Sequence, residues 1–202
     1  MRNGLIKKGI EEFKAKRLAV YKCDPDEIVR NKRAADRATE DHVGRWLFEL
    51  LQNSDDAEAS EVKITIEGDI ICVADNGNGL KPTAVAAISG TDFSDKETGT
   101  IGRKGVGFKS VYEVSRKPQV LTVDGEGIEF SPEKTKEWLR ENGLKDNYVP
   151  YQWIPFFISW DEAQARDPHL VDFKAGGFKT VVRLPGLSPE KKAEVEQLLK
   201  EL

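Results

Sequence analysis

Three short segments, the first of acids and amides, the second of an acid with asparagines and glycines, and the third rich in glycine, stand in a fixed order along the chain, and that order limits the folds open to it more than any other feature. The first, Glu49–Ala57 (ELLQNSDDA), has a helical pattern. At 100° per residue, Glu49, Asn53 and Asp56 fall within a narrow arc of one face, while Leu47, Leu50 and Leu51 lie on the other side and can bury. A carboxylate, an amide and a second acid thus line one edge of a core helix. An amide oxygen suits Mg²⁺, which keeps most of its water and takes one or two protein ligands plus phosphates. A carboxylate one turn earlier can orient or deprotonate a water, help typically worth ~10²–10⁴-fold in rate. A helix with a merely polar outer face is the competing reading.

The second segment, Asp75-Asn76-Gly77-Asn78-Gly79, directly follows the apolar run Ile70–Ala74. An acid at a strand end can accept a hydrogen bond from an adenine amino group, and the glycines let the backbone approach the base with no Cβ in the way. A bare turn is the alternative, because Asn-Gly pairs are common turn formers. The third segment, Gly102-Arg-Lys-Gly105-Val106-Gly107-Phe108-Lys109-Ser110, sets three glycines before a helical pattern, so free N–H groups can face phosphate oxygens and Lys109 can add charge. It is not a P-loop, whose Lys directly follows the last Gly, nor a dinucleotide fingerprint, since no strand leads into it. A flexible loop whose glycines only relieve strain is the alternative.

Around these segments the elements follow from periodicity. Helical patterns cover 5–20 and about 40–57, with a charged, solvated surface helix over 26–38. Strands are expected at 62–67 and 70–75 about a Gly68-Asp69 turn. A short helix over 82–89, a polar loop over 90–104 and a helix over 106–116 come next. Strands at 118–124, 128–130, 152–159 and 178–185 complete the list, with capped helices starting at Ser131-Pro132 and Ser188-Pro189. Without regular βαβ alternation, this mixture implies an α+β fold with helices on one face of a sheet.

Composition excludes several classes. No apolar run approaches the ~20 residues of a membrane span, and the charged, amphipathic first 16 residues are not expected to be a signal peptide. The formal net charge of −4 argues against a domain built mainly to grip nucleic acid, although a local basic patch around Arg103 and Lys104 stays open. Cys23 and Cys72 form no C-x-x-C pair and His42 and His169 stand apart, so no zinc site is expected; two reduced thiols suit a cytoplasmic protein.

Taken together, E-x-x-x-N-x-x-D-A, D-x-G-x-G and G-x-x-G-x-G-F in this order resemble the GHKL ATPases, the superfamily of gyrase, heat-shock chaperones, histidine kinases and MutL. The resemblance covers about residues 18–185. Gly107–Val111 and Glu49–Asn53 look most like the sacsin and NO VEIN-like branch, near the heat-shock chaperones. It implies the Bergerat ATP-binding fold: a two-layer α/β sandwich whose mixed, mostly antiparallel sheet carries helices on one face. The expected organisation is a helical extension over 1–39, an ATP-binding domain over 40–187 and a C-terminal helix over 188–202.

The resemblance also assigns roles. Glu49 becomes the general base, Asn53 the Mg²⁺ ligand, and Asp56 and Ala57 the lining of the ribose and base side. Asp75 binds the adenine amino group, with Gly77, Gly79 and Leu80 against the base. Gly102, Gly105, Val106, Gly107, Phe108 and Lys109 serve the phosphates, and Ser94 and Lys96 sit in a lid over 90–104. Thr180, on a late strand, helps hold the adenine-binding acid; Lys179 stands where the family usually has glycine. The implied function is a Mg-dependent ATP-binding and slowly hydrolysing switch within a larger protein or assembly. A protein partner or further domains, or an ATP-dependent homodimer, would use it, and relatives that hydrolyse well take a γ-phosphate Lys or Arg from a following domain. A non-hydrolysing nucleotide sensor and a histidine-kinase catalytic domain are the alternatives. The latter branch lacks an acid at the Glu49 position.

Overall fold

The computed structural model describes residues 4–40, 44–81, 83–90 and 107–201. Its helices are α1 (Leu5–Cys23), α2 (Asp26–Glu40), α3 (Trp46–Asp56), α4 (Ala84–Ser89), α5 (Pro132–Glu141), α6 (Trp160–Arg166), α7 (Leu170–Ala175) and α8 (Pro189–Glu201). Its strands are β1 (Val62–Glu67), β2 (Ile70–Asp75), β3 (Gln119–Thr122), β4 (Glu126–Phe130), β5 (Pro155–Ser159) and β6 (Thr180–Pro185). The six strands form one sheet in the order β1-β2-β6-β3-β4-β5, and every pairing among them is antiparallel. The last strand in sequence therefore lies at the centre, between β2 and β3.

Alternation along the central strands divides the core. Ile71 and Val73 of β2, Val120 of β3 and Leu184 of β6 face the main cluster, which α1, α3, α4 and α8 cover through Ile6, Ile10, Trp46, Leu47, Leu50, Val85 and Val195. Cys72, Ala74, Leu121 and Val181 face the opposite side, against Trp160 and Ala163 of α6 and Leu170 and Phe173 of α7. The expected α+β sandwich is thus present. The α6–α7 pair, over residues to which periodicity assigns no element, adds a smaller cover on the second face. Burial on both faces explains why β2 reads as a continuous apolar run rather than an alternating one.

Three elements differ from expectation. The helix expected from about 40 begins at Trp46, because Gly44 sits in the left-handed region at φ 76° and breaks the helical path. The helix expected over 106–116 is a 3-10 helix, Gly107–Glu113, in which the Ser110 hydroxyl donates to the Gly107 carbonyl (2.6 Å) and competes for an acceptor of the α ladder. The strand expected from 152 starts at Pro155, after a 3-10 turn at Tyr151–Trp153. Helix α2 is also less solvated than its charge implies. Ile28 and Asn31 are buried, and Ile28 joins Tyr21, Trp138, Leu139 and Ile154 in a third cluster that ties α1 and α2 to α5. No helix among the described residues is long and apolar enough to cross a membrane.

Candidate nucleotide-binding site

The site is organised around α3. Trp46, Leu47 and Leu50 anchor this helix to the sheet, so the opposite edge carries Glu49, half-buried, with Asn53 and Asp56 exposed. The expected single-face arrangement is present. Asn53 makes no side-chain hydrogen bond among the described residues, which leaves its amide oxygen free for a ligand.

The middle of α3 meets the 3-10 helix. A Cβ placed on Gly107 would run into the Glu49 carboxylate, 2.8 Å from its Cδ. Glycine is required there for the carboxylate to lie against the backbone. The other side of that carboxylate pairs with Arg45 one turn earlier, Nη2 to Oε1 at 3.4 Å, with the guanidinium largely exposed. The backbone N–H groups of Gly107 and Phe108 open the 3-10 helix, where no partner within the helix exists for them. The Phe108 ring is buried against Tyr112 and Phe130, which pins this start to the core.

The C-terminal end of α3 meets the second motif. A Cβ on Gly77 would lie 2.6 Å from the Ala57 carbonyl oxygen and 2.9 Å from its Cβ. The Ala57 carbonyl accepts the Asn78 N–H at 2.8 Å, and Asn78 Nδ2 donates to Glu58 at 3.1 Å. Asn76 closes the loop from the other side. Its Oδ1 accepts the N–H groups of Ser60 and Glu61 at 2.9 and 3.1 Å, and its Nδ2 donates to Ser60 Oγ. The two asparagines are scaffold residues that the motif's spacing gave no reason to single out. Gly79 follows at φ 74°, a conformation that favours glycine, and Leu80 packs on the main cluster.

Asp75 ends β2 with its side chain buried, and its Oδ1 accepts the Gly77 N–H at 2.9 Å. Burial pushes its carboxyl above the ordinary value, against the pull of that N–H and of Lys179. In the β2–β6 ladder Asp75 stands directly opposite Thr180, and its carbonyl accepts the Lys179 N–H at 2.8 Å. Asp75 shares its parity with Ile71 and Val73, and Thr180 with Leu184, so both side chains point to the face that α3 covers. Lys179 therefore supplies a backbone hydrogen bond at the family's glycine position.

Lys109 requires a correction. The sequence suggests that it adds charge for phosphates, but it is fully buried, and its ammonium donates to the carbonyls of Ile88 (2.7 Å) and Gln152. The rings of Tyr112, Phe130 and Trp153 surround it. Burial, aided by the Arg17 charge, lowers its pKa to about 7. Charged or neutral, the amine has N–H donors for both carbonyls, so the side chain serves the core. Ser94, Lys96, Gly102, Gly105 and Val106, with all of the expected lid except Gly90, lie outside the described residues.

Helix α3 thus brings the first two motifs and the end of the third onto one side of the sheet. The same region matches a family model. Residues 43–143 match the model of the histidine kinase-, DNA gyrase B- and HSP90-like ATPases, half of the 202 residues. The chain belongs to this family. As a GHKL-type ATPase domain, it is an ATP-binding domain in general terms. Protein NO VEIN of Arabidopsis thaliana is 34% identical over 82 residues, which is 37% of this chain and 3% of the plant protein's length. The crystal structure of the N-terminal domain of a DNA repair protein aligns with 84% of this chain and 44% of its own, at 17% identity and a TM-score of 0.45.

Proposed function

We propose that this domain binds Mg·ATP along the α3 edge and hydrolyses it slowly, as a conformational switch within a larger protein or assembly. The observation that carries the reading is the double seating of α3: its carboxylate lies against Gly107, and its C-terminal carbonyl lies against Gly77 and Asn78. Adenine would be read by the Asp75 carboxylate, which Thr180 faces across the ladder, with Gly77, Gly79 and Leu80 beside the base and Asp56 and Ala57 on the ribose side. Glu49 would take the proton of the attacking water, and the N–H groups of Gly107 and Phe108 would meet phosphate oxygens.

A magnesium ion fits this set. Among the described residues no cluster of three His, Cys, Asp or Glu could cage a metal. Mg²⁺ beside a nucleotide needs no such cage, only one or two protein oxygens besides phosphates and water. Asn53, with its uncommitted amide, would supply one, and the ion would neutralise phosphate charge. The plant relative supports the larger-protein setting, since its matched segment is a small part of its length. Two free cysteines, one exposed and one buried, suit the reducing cytoplasm.

Calorimetric titration with Mg·ATP and with ADP tests the binding reading, on the wild type and Asp75→Asn. Saturable binding that the variant loses supports it, and absence of wild-type binding at millimolar nucleotide overturns it. Turnover tests the hydrolysis reading. Slow release of phosphate, lost in Glu49→Ala, supports a switch, while turnover unchanged by that substitution leaves a nucleotide sensor.

A further inference from the structure

The 3-10 helix that seats Glu49 at its first residue also holds the start of α3 at its last. Glu113 Oε2 accepts the Gly44 N–H at 2.7 Å, across 69 residues of sequence. Its other oxygen, Oε1, accepts from Lys191 Nζ of α8 at 2.8 Å, across 78 residues. Lys191 also donates to Glu194 at 2.6 Å. The Glu113 side chain is 10% exposed and that of Lys191 is 24% exposed, so the pair is more shielded than an ordinary surface ion pair. Both hydrogen bonds involve a charged group, the stronger class. The bonds of Lys191 to Glu113 and Glu194 hold its ammonium above its ordinary pKa, with Glu113 the larger cause and Glu194 next. Gly44 lies in the left-handed region one residue before Arg45, the partner of Glu49. A backbone turn of that kind, at a helix start with no side-chain cap, needs an external restraint to hold one geometry.

We propose that Glu113 is a positioning residue for Glu49: its carboxylate fixes the entry into α3 through the Gly44 N–H, and Lys191 fixes the carboxylate, so that α8 sets the register of the helix that carries the base. Gly107 and Glu113 then bracket the first turns of α3 from one rigid segment, and a displacement of α8 reaches Glu49 through two bonds. The proposal rests on the reading of Glu49 as general base.

The test compares Glu113→Ala, Glu113→Gln and Lys191→Met in the full chain. It measures kcat and KM for Mg·ATP, and amide hydrogen exchange across residues 44–49. Glu113→Ala is expected to lower kcat about 10–100-fold, the scale of a small misplacement of a reacting group, with KM nearly unchanged and exchange at Gly44 accelerated. Glu113→Gln, whose single amide oxygen still accepts the Gly44 N–H while its amino group cannot accept from Lys191, is expected to lose less kcat than Glu113→Ala and about as much as Lys191→Met. Wild-type kcat in folded Glu113→Ala, or an equal loss in Glu113→Gln, overturns the proposal. Should Glu113→Ala not fold, Lys191→Met decides: faster Gly44 exchange with lower kcat supports the strut, and no change in either overturns it. A wild type that binds Mg·ATP without turnover overturns the hydrolysis reading instead. Exchange at Gly44, which needs no chemistry, then decides whether Glu113 holds α3.

Discussion

The two glycines that touch α3 should respond to the same substitution in opposite ways. At Gly77 an alanine Cβ meets backbone, 2.6 Å from the Ala57 carbonyl oxygen. Nothing there can rotate away, so the loop must shift. Overpacking of this kind costs about 1–3 kcal/mol. Gly77 is not at positive φ, so alanine regains about 0.4–1 kcal/mol through the unfolded chain. The net loss is about 1–2 kcal/mol, a fall in Tm of about 2–8 °C for a domain of this size. At Gly107 the Cβ meets the far end of the Glu49 side chain instead. That side chain can swing, and the cost is its exposed pairing with Arg45, about 0.2–1 kcal/mol at most. Gly107→Ala should therefore leave Tm within about 2 °C and lower kcat about 10²–10⁴-fold, by moving the base. Thermal denaturation and steady-state phosphate release separate the two. A cycle with Glu49→Ala completes the test, because the double variant should be no slower than Glu49→Ala alone. A Gly107→Ala protein that melts as Gly77→Ala does, or that keeps wild-type kcat, refutes the reasoning.

Three further outcomes follow from the buried charges. Because burial raises the Asp75 pKa in the folded state, that carboxylate binds more protons folded than unfolded, and its contribution to stability falls as pH rises through the carboxylate range. Asp75→Asn should thus melt at or above the wild-type temperature at pH 7, with the gap closing toward acid pH, while nucleotide binding is lost; denaturation across pH reads the first part and calorimetry the second. Lys109 carries the opposite sign: with its pKa lowered to about 7 from an ordinary 10.5, its contribution rises between those values, a slope that Lys109→Met should remove from the pH dependence of urea unfolding. Asp167 and Arg183 form a buried pair at 2.8 Å, and Arg183 also reaches Gln119 at 3.0 Å. Asp167→Ala should cost about 3–5 kcal/mol in urea unfolding, because it strands a buried guanidinium.

The parts of this molecule that were legible in sequence are those fixed by local chemistry. Gly68-Asp69 reads as a tight turn, and Gly68 adopts φ 60° between β1 and β2. Ser131 and Pro132 read as cap and first turn, and Ser131 Oγ accepts the Lys134 N–H. The Glu49, Asn53 and Asp56 arc follows from helical geometry alone. What stayed hidden depends on distant partners. Trp160 and Phe173 sit in helices of seven and six residues, too short for a period to show, so the second cover of the sheet is invisible in the pattern. The central place of β6 requires pairing across more than a hundred residues with β2. A lysine beside a glycine-rich loop reads as a phosphate ligand, and only the aromatic cage of Tyr112, Phe130 and Trp153 turns Lys109 inward. Glu113 reads as an ordinary exposed acid until Gly44 and Lys191 meet it.

The Asp75 end of the site carries a further argument for ligand binding. A carboxylate buried at a strand end, with one backbone N–H as its hydrogen-bond donor, lowers the stability of the empty fold, since burial disfavours its charge. An apolar residue there would pack beside Val73 and continue the main cluster. The surrounding residues relieve the charge only in part, through the Gly77 N–H and the Lys179 charge, and burial outweighs both. Thr180 faces it across the ladder, and Lys179 is committed through its backbone to the Asp75 carbonyl. Around it the fold is locally consistent, with asparagines and glycines satisfying each turn of the loop. One buried acid, only partly relieved, inside a well-satisfied frame is the pattern expected where stability is given up to a ligand rather than to packing. An amino group with two N–H donors, such as that of adenine, would supply the bond that the protein withholds.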